Sequence, residues 1–231
     1  MVDVVGAAVL ATLTALVVAF GAPAVLRRLP EPTAGGSGGE EPEKTPYARL
    51  AAWPFVTVCV VVAVAAQLLA AAALPAAIQP LWSVLATGGV LLAAIDARTT
   101  WLPLRLTHGT WCAMAGAALV SVVLGAGLPG LIRAASGAAI AGGFYLLVWV
   151  LTRGGFGFGD VRFAPLLGAA TASQSWGLLL WGLTLGTAAG ALHGGLRLAR
   201  RRRGGFPYAP SMLLGCYLAV LALAVWPARG P

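Results

Sequence analysis

Acidic residues are scarce in this 231-residue chain: seven Asp and Glu stand against fifteen Lys and Arg, and charged residues make up only 10% of the total. Soluble globular domains carry about a quarter charged residues, so the composition points to an integral membrane protein. Cysteine is limited to Cys59, Cys112 and Cys216, each alone in an apolar run. With no CxxC pair, neither a zinc ribbon nor a disulfide framework is supported. His108 and His193 lie several apolar runs apart, and a mechanistic histidine needs a partner. What the chain has in quantity is apolar residues, at 59%, and 31 glycines. That mixture suits helices packed closely in lipid, so the expected fold is an all-α membrane protein.

A membrane crossing needs roughly 20 apolar residues. Eight such runs can be read, at about 4–26, 50–73, 78–97, 106–126, 131–151, 161–175, 176–197 and 208–227. The sixth is short for a full crossing, as a broken helix or a thinned bilayer would allow. The expected architecture is a polytopic bundle of about eight transmembrane helices. Its parts are a first helix over 1–29, a disordered loop over 30–49 and a membrane-embedded core over 50–231. The loop contains PEPTAGGSGGEEPEKTP, which has no apolar periodicity. Gly186, Gly190 and Gly194 recur every four residues in the seventh run and form a smooth stripe for close helix contact.

The bases assign the orientation. The first residues, MVDVVGAAVL, lack a basic start, and Arg27–Arg28 follow the apolar run instead. This is the pattern of a retained first span with its N-terminus outside. On that reading thirteen of the fifteen bases fall in cytoplasmic segments, and only Arg133 and Arg229 fall outside. The net charge of +8 is therefore an orientation signal rather than a nucleic-acid surface. The expected partner is the lipid bilayer, with no nucleic acid.

After Glu43 the only acids are Asp96 and Asp160. Ionisable groups near membrane depth are costly and mark functional sites by default. Asp96 ends the third run on its way in, and Asp160 begins the sixth on its way out, so the topology places both at the cytoplasmic face. Each has a plain reading as well: Asp96 as an end-of-span acid that is hydrated or paired with Arg98, and Asp160 as a helix N-cap. Pro103 interrupts the chain between the third and fourth runs. Gly154, Gly155, Gly157 and Gly159 form a flexible approach to Asp160. A nucleotide loop does not fit, since no strand precedes these glycines and the Lys and Ser/Thr are missing.

Asp96 with Pro103 after six intervening residues, then Gly157-Phe158-Gly159-Asp160-Val161-Arg162, resembles the prepilin peptidases, also called type IV leader peptidases, within the GxGD group of intramembrane aspartyl proteases. Gly205-Phe206-Pro207-Tyr208-Ala209-Pro210 is similar to the turn that opens that family's last span. The resemblance covers roughly 80–227. It departs at Leu104, where Asp or Asn is common, and at Arg162, where Lys is common. It departs also in the loop 27–49, which lacks the cysteine-paired domain that longer members associate with N-methylation.

The resemblance implies an aspartic endopeptidase of the bacterial inner membrane, without methyltransferase activity and without a cofactor or metal. Asp96 and Asp160 would be catalytic, and Gly157, Gly159, Arg98, Pro103 and Arg162 would shape the site or contact substrate. The implied partner is a prepilin-like or pseudopilin precursor with a basic leader and an apolar helix, cut at the cytoplasmic face. Two other classes compete. A proton- or cation-coupled transporter would use the acids as a relay, though no inverted repeat is evident. A non-catalytic assembly subunit would pair them with arginines of a partner.

Overall fold

The computed structural model describes residues 2–31, 45–153, 157–200 and 206–225, and the regular structure among them is entirely helical. Helix α1 (Val4–Leu26) starts at Asp3, whose Oδ1 accepts the Gly6 N–H at 2.8 Å. A short helix α2 (Tyr47–Leu50) leads into α3 (Trp53–Ala73), which packs along α1. A helical turn at Ala76–Ile78, α4 (Gln79–Val84), a wide turn at Leu85–Gly89 and α5 (Val90–Thr99) form one rod. Then come α6 (Leu104–Ser121), α7 (Gly127–Leu151), α8 (Phe158–Gln174), α9 (Trp176–Ala199) and α10 (Ala209–Val225).

Four stretches are long and apolar enough to cross a membrane: Val4–Leu26, Trp53–Ala73, Ala76–Thr99 and Leu104–Leu151. The chain is thus a polytopic helical membrane protein. The last stretch has 48 residues, more than twice what one crossing needs. It is broken at Gly125 (φ 107°) and Gly127 (φ 62°), conformations that glycine adopts at little cost. Ala209–Val225 is a shorter apolar helix.

Helix α8 corresponds to the short sixth run. Its 17 residues span about 25 Å at 1.5 Å per residue, and twelve of them are buried. The run lacks a long apolar lipid-facing sequence because α8 is covered by protein. Its main neighbour is α7, and glycines make the approach possible. A Cβ at Gly137 would meet Ala172 and the Gly168 carbonyl, while one at Gly168 would meet the Gly137 carbonyl and Ala141. Pro165 seats over Gly142 in the same interface. The glycine stripe of α9 lies against α10 and the residues before it: Gly186 faces the Met212 backbone, Gly190 the Tyr208 ring and Gly194 the Phe206 ring.

The loop over 30–49 is only partly open to inspection, because residues 32–44 lie outside the described residues. Its far end departs from the disorder expected there. Glu31 accepts from the N–H groups of Tyr47, at 3.1 Å, and Ala48, at 3.4 Å, and so caps α2 across the loop. Tyr47 is buried. Burial, and then the Glu31 charge, raise its phenol above the ordinary tyrosine value. Gly154, Gly155, Arg201, Arg202, Arg203, Gly205, Trp226 and Arg229 also lie outside the described residues.

The α7–α8 contact generates a stability test. Gly168→Val places methyl groups against the Gly137 backbone and should cost about 1–3 kcal/mol through overpacking. Gly143→Val, at a position with open space around it, should leave stability unchanged. Thermal unfolding of both variants in detergent micelles checks the difference.

Candidate functional site

The last turn of α5 carries Asp96. Thr100 ends that helix in the left-handed region (φ 57°), and its N–H returns to the Asp96 carbonyl at 2.7 Å. Thr99 fixes the exit: its hydroxyl donates to the Ile95 carbonyl at 2.9 Å and accepts the Trp101 N–H at 3.2 Å. The chain then runs to Pro103, which is buried and starts α6. The Pro103 carbonyl accepts both the N–H and the hydroxyl of Thr107, each at 3.0 Å.

Asp160 sits in the first turn of α8, where a carboxylate also complements the helix dipole. The N-cap is Gly157, in extended conformation, and not Asp160; the cap reading of Asp160 is corrected accordingly. Gly157 lies against the Asp160 carboxylate: a Cβ there would come within 2.9 Å of Oδ2. Gly159 lies against Leu102, with a built Cβ 3.1 Å from Cδ1, so the α5–α6 connection closes over the start of α8. Trp111 of α6 ties the same turn down, its indole N–H donating to the Arg162 carbonyl at 2.9 Å.

Helix α10 supplies the link between the acids. The Ala209 N–H donates to Asp96 Oδ2 at 3.1 Å. The Ala209 amide also bears electrostatically on Asp160, and the Tyr208 amide on Asp96. The two acids are near enough to feel each other's charge. They are 4% and 6% exposed, so this proximity lies inside the protein. Asp160 Oδ1 is buried and has no hydrogen-bond partner among the described residues. Charges buried this deeply without a counter-ion are uncommon outside functional sites.

The two arginines do not join the acids. Arg98 is exposed and lines an apolar groove of about 570 Å³ between α3, α5 and α10, beside Cys59. The expected Asp96–Arg98 pairing is therefore replaced by the Asp96–Ala209 hydrogen bond. Arg162 lies over the Phe158 ring, 4.6 Å from its centroid. His108 stacks near Trp111 and His193 near Phe206, neither at the acids. No three His, Cys, Asp or Glu side chains gather in a metal-binding group among the described residues.

The arrangement places two carboxyl groups in the end turns of two helices, sheltered from bulk water. A profile of the Type IV leader peptidase family matches residues 83–225, more than half of the chain. The chain belongs to that family. No curated protein and no solved structure matches it significantly. The match begins within α4 and ends with α10, so it takes in Asp96, Asp160 and Ala209. Membership in a leader peptidase family accords with proteolysis by a polytopic membrane protein.

Sequence reasoning missed Ala209, because a backbone amide has no signature of its own. A signal was present nonetheless. Prolines at 207 and 210 lack N–H groups, so within Pro207–Pro210 only Tyr208 and Ala209 can donate. Trp111 was also passed over, since one tryptophan in an apolar run reads as packing. Trp111→Phe keeps the ring and deletes the bond to Arg162, so it should cost about 1 kcal/mol. Trp181→Phe, at a position 63% exposed, is the neutral comparison, and chemical denaturation of both in micelles is the measurement.

Proposed function

We propose that this chain is an aspartic endopeptidase that removes the basic leader from prepilin-like or pseudopilin precursors, with Asp96 and Asp160 activating water. The observation that carries the reading is the convergence of the two acids. They are the only ones after Glu43, they come from positions 64 residues apart, and the Ala209 amide that donates to Asp96 bears electrostatically on Asp160.

Two carboxyl groups this close in a low dielectric do not ionise independently; one proton stays with the pair, and they titrate as a unit. The ionised member takes a proton from a bound water as its oxygen attacks the scissile carbonyl carbon. The protonated member hydrogen-bonds the carbonyl oxygen as negative charge develops there. Collapse of the tetrahedral intermediate breaks the C–N bond, and a carboxyl proton goes to the departing amine. Both carboxyl groups and the water suffice for the proton accounting of this cycle.

The topology that serves this chemistry has eight crossings, an outside N-terminus and both acids at the cytoplasmic rim of the bacterial inner membrane. The thirteen bases of the inner segments support it. At that depth the precursor's helix emerges from hydrocarbon, and its backbone can unwind without stranding polar groups in lipid. The loop over 27–49 has no cysteines, which supports a peptidase without the methylating activity of longer relatives.

Asp96→Asn and Asp160→Asn should each lower precursor cleavage by roughly 10²–10⁴-fold while the protein still inserts. Co-expression with a precursor and a gel-shift readout tests this, and full cleavage by either variant would refute the pair. Topology is tested separately. Cysteines replacing Arg98 and Arg162, in a background where the exposed Cys112 is serine, should label from the same side of inverted vesicles. Labelling from opposite sides would end the reading.

A further inference from the structure

Tyr208 is held on three sides. Its ring meets Tyr145 of α7 edge-on at 6.1 Å between centroids, and Phe206 at 5.8 Å. The Tyr145 hydroxyl is hydrogen-bonded with Tyr208 and with Thr187 of α9. On the α9 side the ring lies directly on Gly190, where a Cβ would stand 2.8 Å from Cζ and 2.9 Å from Cδ2. The backbone of the same residue is fixed as well. The Tyr208 carbonyl accepts the N–H groups of Ser211, at 3.0 Å, and Met212, at 3.1 Å, so Tyr208 is the residue from which α10 starts. The next peptide carries the Ala209 N–H that donates to Asp96 and bears electrostatically on Asp160. The plane and position of that amide are thus set by where the ring sits.

We infer that Tyr208, seated on Gly190, is a positioning residue that aims the Ala209 amide between Asp96 and Asp160 and thereby holds the pair in reacting geometry. The inference rests on the endopeptidase reading and adds to it a part for residues that touch neither water nor substrate. The amide gives the pair a fixed donor whose partial positive charge offsets the repulsion between neighbouring carboxylates. A donor that belongs to the backbone of a packed helix start costs no side-chain entropy to place. Gly190 has a specific reason to be glycine: any side chain there occupies the space of the ring. Its neighbours in the stripe, Gly186 and Gly194, face the Met212 backbone and the edge of Phe206 instead. One stripe therefore has a site that governs chemistry among sites that govern packing.

The test uses the full-length protein in micelles and a synthetic precursor with a basic leader, a glycine and an apolar helix of about 20 residues. Tyr208→Ala removes the ring. Ala209→Pro suits the first position of a helix but deletes the N–H. Each should lower kcat by about 10²-fold, the effect of a small misplacement of reacting groups, with KM close to wild type. Tyr208→Phe keeps the ring on Gly190 and should restore most of kcat. Gly190→Ala should fall between, and it serves as the second route should Tyr208→Ala fail to fold. Wild-type kcat in Tyr208→Ala or Ala209→Pro, or a loss confined to KM, overturns the inference. If the two Asp→Asn variants are dead while these variants are active, only the positioning role fails. If the Asp→Asn variants still cleave, the endopeptidase reading itself fails.

Discussion

Two carboxyl groups brought together away from water repel each other, and a fold that keeps them close must supply donors in return. In this chain the donor is backbone. The Ala209 amide stands where the last turn of α5, the first turn of α8 and the first turn of α10 meet. A side-chain cation would have neutralised the pair. An amide offsets the repulsion without a full positive charge. Arg98 and Arg162 lie close in sequence, yet their contacts run to an apolar groove and to a phenyl ring.

Everything around that meeting point serves to bring helix ends together. Helix α8 is the central rod, and α7 approaches it through facing glycines until backbone touches backbone. Helix α9 does the same for α10 through its glycine stripe. Close approach of this kind compensates in lipid for the missing hydrophobic drive between helices. It has a second effect at the site. Interhelical distances set by backbone contact vary less than those set by flexible side chains, and a hydrogen bond near 3 Å across three helices tolerates little variation.

The two acids were legible in the sequence for a simple physical reason: charge is so rare in the spans that any carboxylate stands out. Counting crossings between them, together with the distribution of arginines, leads to the expectation of a common cytoplasmic face. Helix existence was also legible, because long apolar runs permit little else in a membrane. What α8 does was harder to read. Its shortness looked like a weakness in the span assignment, whereas its residues are short of lipid-facing character because other helices cover them. The partners of Asp96 and Asp160 could not be read at all. Arg98 is two residues from Asp96, but a helix turns adjacent side chains to different sides, and the actual partner is 113 residues on. A capping role for Asp160 failed by three residues, since Gly157 begins the helix. The order at Tyr47–Leu50 was hidden because its cap, Glu31, comes from the opposite end of a polar loop.

The family match offers a further constraint on what the site requires. It runs from within α4 through α10 and omits α1, α2, α3 and the start of the rod. Of the omitted helices, α3 packs on α5 and α10, and α1 packs on α3 and on the wide turn at Leu85–Gly89. Among the described residues, the amides that bear on the two acids belong to the matched part, as does the glycine on which the Tyr208 ring rests. The helix ends that carry the two acids, and the close-packed helices that hold them, therefore lie together in the matched part.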